Sequence, residues 1–167
     1  MQTKHFLFLL LFVFVGAPAT FAKSKKKQPA FKLIEAYTQR SMPGIPGAPI
    51  QTDTKFIILW QGASYPETFF WRGESGWLTC RIDKAHKVKP GTKNIPRGIE
   101  YTTEFVTGEQ MHKGDTLQLT PVTGGRFPIP KEIPESAKNT LFYKTAGSGW
   151  LAFPVKSFTQ KQAIARP

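Results

Sequence analysis

The side chains able to bind a metal ion are few and scattered in this sequence. His86 and His112 are the only histidines beyond residue 5, and Met111 precedes His112. A thioether beside an imidazole suits copper. Neither histidine has a second histidine two or four residues away, however, and both stand in polar stretches typical of loops. We therefore expect solvated loop histidines, with no metal site and no cofactor.

Two segments contain a candidate nucleophile, and neither has the surroundings that nucleophilic catalysis requires. The sequence GESGW, residues 73–77, approaches the G-x-S-x-G pattern around a catalytic serine but lacks its final glycine. That pattern also needs a strand-to-helix turn, whereas strand-like runs flank these residues, so a hairpin turn is predicted. Cys80 alternates with apolar neighbours, so we expect it to point into the core as an inert thiol.

Paired carboxylates could act as the acid and base of glycoside hydrolysis. Glu100 and Glu104 lie on the same face of a predicted strand. A rise of about 3.3 Å per residue places them roughly 13 Å apart, beyond the roughly 5–9.5 Å that such chemistry uses. Because no nucleophile, base and orienting group can be assembled, the sequence predicts no catalytic residues and a protein that is not an enzyme. A small secreted hydrolase stays open as an alternative.

An aromatic hairpin is the first candidate contact surface. In the segment GWLTCRI, Trp77 alternates onto the same face as Thr79 and Arg81. In the segment ETFFWR, Phe70 stands between two aromatic residues that are expected to point inward, so it can point outward and pair with Trp77. An exposed cluster of Phe70, Trp77 and Arg81 would bind protein or sugar. Burial of these rings beneath proline-rich connections is the other interpretation.

Positive charge supplies the second candidate surface. The 167 residues include 23 Lys and Arg against 11 Asp and Glu, a formal charge of +12. A predicted loop over residues 83–98 concentrates part of this excess, and its candidate contact residues are Lys84, Lys87, Lys89 and Lys93. With the lysine-rich residues 23–30, this loop could make weak contacts with polyanions such as lipid headgroups or acidic polysaccharide. No nucleic-acid-binding motif is present, so no specific nucleic acid partner is expected.

Short runs rich in β-branched and aromatic residues recur along the chain, separated by Gly, Pro, Asn and Asp. The predicted strands are residues 31–38, 55–60, 67–72, 76–82, 98–106, 115–122, 140–145 and 150–156. The segment KFIILW is apolar on both faces and therefore predicts a central strand. The pattern predicts an all-β fold, a single immunoglobulin-like, Greek-key β-sandwich of about seven or eight strands. A small β-barrel is the alternative.

Alternation within the predicted strands separates an inward face from an outward face. In strand 76–82 the inward residues are Leu78, Cys80 and Ile82. In strand 98–106 they are Ile99, Tyr101, Thr103 and Phe105, and in strand 31–38 one face carries Phe31, Leu33 and Tyr37. Strands 67–72 and 76–82 are expected to form a hairpin, as are strands 140–145 and 150–156.

Residues 1–22 have the character of a secretory signal peptide. A short polar start precedes an unbroken apolar run, residues 6–15, and Thr20 and Ala22 supply small side chains at a cleavage site after Ala22. The run is short for a membrane-spanning helix, which needs about 20 residues. Four lysines within residues 23–27 oppose export by the positive-inside rule, so retention of this segment as an anchor is the alternative.

The chain is thus predicted to consist of a signal peptide (1–22), a basic flexible arm (23–30), a β-sandwich domain (31–157) and a flexible C-terminal tail (158–167). Its single cysteine excludes an intrachain disulfide framework and a Cys-rich zinc site. We expect an exported protein, periplasmic or extracellular, without a transmembrane helix in the mature chain. It would act as a non-catalytic binding or accessory domain of the cell envelope, with an envelope protein or polysaccharide as its partner. A carbohydrate-binding module that uses surface aromatic residues is the first alternative.

Overall fold

The protein is described by a computed structural model over residues 29–74, 76–89, 92–93, 95, 98–122, 129–133 and 138–165. The predicted signal peptide and most of the predicted basic arm lie outside the described residues. Within these ranges no helix has the length and apolar character needed to cross a membrane.

Nine β-strands are present in the described residues, and the all-β prediction is confirmed. They are β1 (Phe31–Met42), β2 (Gln51–Trp60), β3 (Pro66–Arg72), β4 (Trp77–Lys87), β5 (Tyr101–Phe105), β6 (Thr116–Pro121), β7 (Thr140–Thr145), β8 (Leu151–Pro154) and β9 (Thr159–Ala165). One 3-10 turn, Gly108–Gln110, lies between β5 and β6. The strands form one sheet in the order β8-β7-β3-β4-β6-β2-β1-β9, with β5 paired to β4 beside this path.

The sheet curls so strongly that strands from opposite ends of its order meet. Phe31 of β1 lies 5.1 Å, centroid to centroid, from the ring of Tyr143 in β7 and 4.8 Å from that of Phe153 in β8. Such contacts require the sheet to wrap around its own apolar face. The result is a half-barrel, which is consistent with the predicted sandwich and with its barrel alternative.

The local pairing predictions are confirmed. β3 and β4 form an antiparallel hairpin, closed by the Gly73 N–H donating to the Gly76 carbonyl oxygen at 3.0 Å. β7 and β8 pair in the same way. The strand that contains KFIILW, β2, lies between β1 and β6 and is therefore central.

The C-terminal segment differs from its predicted state. Residues 159–165 form strand β9, which pairs in parallel with β1, so the expectation of a frayed tail is corrected for these residues. The sequence TQKQAIA is mostly polar, a composition that predicts a tail when it is taken alone. Its pairing partner lies at the other end of the chain, and a sheet edge with unpaired backbone groups can accept such a strand.

The apolar side chains of one sheet face form the main core. Its fully buried members include Phe56, Trp60, Phe69, Leu117 and Leu141, and Cys80 is buried with them as predicted. Leu78 and Ile82 also pack against this core, so the inward face predicted for β4 is confirmed. Because side chains alternate along a strand, every second side chain lies on the opposite face of the sheet.

A β-bulge reverses the expected faces of β1. The pairing register with β2 shifts between Leu33 and Glu35. Phe31 and Leu33 face the main core as predicted, but beyond the bulge Ala36 takes that face and Tyr37 points to the other. One extra residue inverts every later side chain, because the strand period is two.

Strand β5 also departs from the expected alternation. Phe105 was predicted to point inward, yet its side chain is 75% exposed, whereas the following Val106 is buried in the main core. The strand ends at Phe105, so the alternation of faces stops there, and the next residue, Val106, is the one that packs into the core.

Candidate functional site

Polar side chains are buried on the sheet face opposite the main core. Gln39 of β1, Asp83 of β4 and Gln118 of β6 are each exposed by less than a twentieth of their surface. Gln118 lies opposite Ile57 on one side and Asp83 on the other, so these polar groups run across adjacent strands. Burying an amide costs free energy unless it makes hydrogen bonds, and so this face is organised around polar contacts.

A cleft of about 350 Å³ opens on this polar face. We call it the polar cleft. Residues from five strands line it, among them Tyr37, Gln39, Tyr101, Thr103, Gln118 and Lys161. The segment that leads into β5, residues 98–100, forms part of its wall.

Lys161 forms the centre of a charged cluster at the cleft. Its Nζ donates to Glu35 Oε2 at 2.8 Å and lies 3.0 Å from Glu100 Oε2, while its side chain is only 8% exposed. The same ammonium lies 4.1 Å from the centroid of the Tyr37 ring, within the range of a cation–π contact. The Tyr101 ring lies further away, at 5.8 Å.

Burial and these contacts fix the charge states of the cluster. Burial alone would lower the pKa of Lys161, but its hydrogen bonds to Glu35 and Glu100 outweigh that effect and raise the pKa above its usual value. Burial, with the nearby charges of Glu35 and Glu100, raises the pKa of Tyr37 from 10.0 to about 12. Burial is also the main cause of a raised pKa at Tyr101. Near neutral pH the lysine is therefore charged and both phenols are neutral.

The buried amides hold the cleft walls together. Gln39 Nε2 donates to the carbonyl oxygens of Gly98 at 3.1 Å and Gln162 at 3.0 Å. One β1 side chain thus attaches both the segment before β5 and strand β9. Gln118 Nε2 donates to Thr120 Oγ1 at 3.2 Å along β6. Of the two amides, Gln39 is the one that joins parts of the cleft wall distant in sequence.

The aromatic hairpin is not the exposed patch that the sequence suggested. Phe70 is only 7% exposed and packs with Ile133 and Phe142, so of the two interpretations the exposed one is wrong for this ring. Trp77 is half-buried, with its ring 5.1 Å from that of Phe142. Ile133 belongs to the proline-rich connection before β7, so the alternative of burial beneath such a connection describes Phe70 correctly.

The basic candidates divide into two groups. Lys84 and Lys87 belong to β4 instead of a loop, because that strand continues to Lys87. Lys84 Nζ lies 3.0 Å from Asp115 Oδ2 and is partly buried. Lys87, Lys89 and Lys93 are exposed.

Arg81, the last of the predicted contact residues, is exposed on β4. Its Nε donates to Oδ2 of the buried Asp83 at 2.9 Å. The predicted contact residues Phe70, Trp77, Arg81, Lys84, Lys87, Lys89 and Lys93 are all absent from the lining of the polar cleft. The structure therefore brings together a different set of side chains from the one that the sequence suggested.

The residues considered for catalysis also lie apart from the cleft, with one exception. Burial raises the pKa of the Cys80 thiol far above its usual range. His86 lies in β4 and not on the expected loop, where it forms an exposed pair with Glu104 at 3.5 Å, whereas His112 is exposed on a loop as expected. Glu100 alone lines the cleft, where it is held by Lys161.

Across the described part of the chain, no group of three or more His, Cys, Asp or Glu residues is arranged to hold a metal ion. Ser75 lies outside the described residues.

The cleft residues escaped the sequence analysis for different reasons. Gln118 carried a usable signal, because a polar residue between Leu117 and Leu119 marks the second face of a strand. Simple alternation predicts the wrong face for Tyr37, because it does not include the bulge between Leu33 and Glu35. Lys161 stood in the segment that read as a tail, where a lysine gives no sign of burial.

Comparison of the chain with protein-family models, with curated proteins and with solved structures found no significant match. The side chains of the site itself are therefore the guide to function.

Proposed function

We propose that this chain is an exported, non-catalytic binding domain of the cell envelope and that the polar cleft is its binding site. The observation that carries the proposal is the burial of Gln39, Gln118 and Lys161 around one open cleft of about 350 Å³. Buried polar groups are costly where packing alone is needed, and a concave site with a few convergent polar groups is the usual form of a ligand site.

Binding fits the chemistry of the cleft better than catalysis does. Lys161 is protonated and already paired with two carboxylates, so it offers no free base or amine nucleophile near neutral pH. The hydrolase alternative gains no support from His86 and Glu104, which form an exposed pair outside the cleft lining. A carbohydrate module built on Phe70 is disfavoured, since that ring is packed against Ile133.

Export is supported by the sequence of residues 1–22, with its apolar run and small residues before a cleavage site after Ala22. Weak contact with polyanions through Lys87, Lys89 and Lys93 remains a second, independent part of the proposal, because these lysines are exposed. Such contact would weaken steeply with added salt, whereas binding in the cleft would not.

The test is the location and retention of the protein in the cells that produce it, followed with a C-terminal epitope. We expect the protein in the envelope or the medium, with an N-terminus at Lys23. We also expect Gln118→Leu to reduce the envelope-bound fraction, while Gln61→Leu, at an exposed position outside the cleft, leaves it unchanged. A protein that stays in the cytoplasm, or retention that ignores both substitutions, would contradict the proposal.

A further inference from the structure

We infer that the polar cleft binds a neutral, hydroxyl-rich small molecule of the size of one sugar ring, an inference that rests on the binding role proposed above. The volume of about 350 Å³ lies at the lower end of the roughly 300–1,000 Å³ found for small-molecule sites. A single ring with its hydroxyl groups fits this volume, whereas a long polymer could enter only by one end.

The charges at the cleft disfavour an ionic ligand. Lys161 has carboxylate partners at 2.8 and 3.0 Å, so an anion would have to displace Glu35 or Glu100 to reach it. Lys55, a further lining residue, also has an interaction partner. A cation would have to compete with Lys161 for the same two carboxylates. Either exchange would leave the buried Lys161 ammonium or the mostly buried Glu35 carboxylate without its partner, which is strongly unfavourable.

The polar groups at the cleft disfavour an apolar ligand. Gln118 and Gln39 carry amides, and Thr103 and Tyr101 carry hydroxyls, on the lining of one cavity. An apolar molecule would remove water from the Thr103 and Tyr101 hydroxyls, which are at least partly exposed, without replacing its hydrogen bonds, at a cost in free energy. Hydroxyl groups both donate and accept, so a polyol can pair with amides and hydroxyls alike.

Apolar surface is also present, as a sugar requires. The rings of Tyr37 and Tyr101 and the side chains of Ile99 and Ile164 contribute to the same lining. Aromatic side chains offer an apolar body with a polar tip, which matches a molecule with C–H faces and hydroxyl edges. The alternation of these residues with Gln39 and Gln118 therefore complements a sugar ring more closely than it does an ion or a hydrocarbon.

The experiment is an NMR titration of the ¹⁵N-labelled full-length chain with methyl glycosides of glucose, galactose, mannose and N-acetylglucosamine. Glucuronate, inorganic phosphate and methylammonium serve as charged probes. We expect saturable shifts of the Gln39 and Gln118 side-chain amides, assigned with the corresponding Leu variants, for at least one neutral glycoside. We expect Gln118→Leu to weaken that binding about ten-fold, through loss of a buried hydrogen bond. Gln61→Leu, outside the cleft, should change it less than about two-fold.

Three results would overturn the inference. They are no shift with any neutral glycoside, tighter binding of a charged probe than of every neutral glycoside, or an equal loss of glycoside affinity in Gln118→Leu and Gln61→Leu. If Gln118→Leu fails to fold, Thr103→Val at the exposed margin of the cleft takes its place. Envelope retention that depends on Gln118 without glycoside binding would overturn this inference and leave the proposed function standing. Failure of export would contradict the proposed function but would leave the inference about the ligand of the cleft standing.

Discussion

Lys161 Nζ and Glu35 Oε2 lie 2.8 Å apart, although 126 positions separate the two residues in the chain. Their contact crosses the parallel pair of the first and last strands. Because Lys161 also contacts Glu100, one buried ammonium joins β1, β9 and the segment before β5. All three parts of the chain contribute residues to the cleft lining, so loss of the ion cluster should disturb the cleft.

Removal of the ammonium should destabilise the fold. Lys161→Met leaves the carboxylates of Glu35 and Glu100 without their partner, and breaking a buried ion pair from one side costs roughly 3–5 kcal/mol. Because Glu100 is partly exposed, we expect a loss of about 2–3 kcal/mol in the free energy of unfolding, measured by urea denaturation.

The matched control for this substitution is Lys144→Met. Lys144 and Glu67 form an exposed pair 3.8 Å apart, and such pairs contribute about 0–1 kcal/mol. Similar losses in the two variants would mean that burial of Lys161 adds nothing to its pairing.

Alkaline pH should weaken the fold in part through the same cluster, alongside the buried thiol of Cys80, whose pKa is also raised. The pKa of Tyr37 is about 12 in the folded chain and 10.0 when unperturbed, and the pKa of Lys161 is raised as well. Between pH 10 and about pH 12 the Tyr37 phenol keeps its proton in the folded state but has lost it in the unfolded state, so the free energy of unfolding falls as pH rises. We expect the urea midpoint to drop between about pH 10 and pH 12, and less steeply in Tyr37→Phe. A midpoint constant over this interval, or a wild-type slope in the variant, would refute the assignment.

Much of the fold could be predicted because strand alternation is a local property. Residues 76–82 show which side chains face the core, and the Gly73–Gly76 turn indicates the hairpin without reference to the rest of the chain. The apolar character of KFIILW likewise indicates a strand with neighbours on both sides. Each of these predictions depends on a few consecutive residues.

The polar cleft could not be predicted in the same way, because it depends on long-range contacts. A bulge after Leu33 sends Tyr37 to the polar face, and nothing in the residue types around it requires that bulge. Lys161 is buried only because β9 returns to β1, where Glu35 meets it. Composition marks a lysine as exposed by default, and only the tertiary partners reverse that expectation.

The Cys80 thiol should be unreactive in the folded protein. It is buried in the main core, and burial raises its pKa, which suppresses the reactive thiolate. We expect a disulfide reagent such as Ellman's reagent to label Cys80 only as urea unfolds the chain, with labelling and unfolding sharing one midpoint. Rapid, stoichiometric labelling without denaturant would place the thiol at the surface instead.

Two phenylalanines provide the sharpest check on which aromatic surface is free. Phe70 is 7% exposed and packs against Phe142, whereas Phe105 is 75% exposed at the end of β5. Phe70→Ala should lower the free energy of unfolding by about 3 kcal/mol or more, because it opens a cavity between the hairpin and Ile133. Phe105→Ala should change it by no more than about 0.5 kcal/mol. The reverse order would restore the exposed aromatic hairpin as a contact surface, since a ring free to meet a ligand contributes little to stability in its absence.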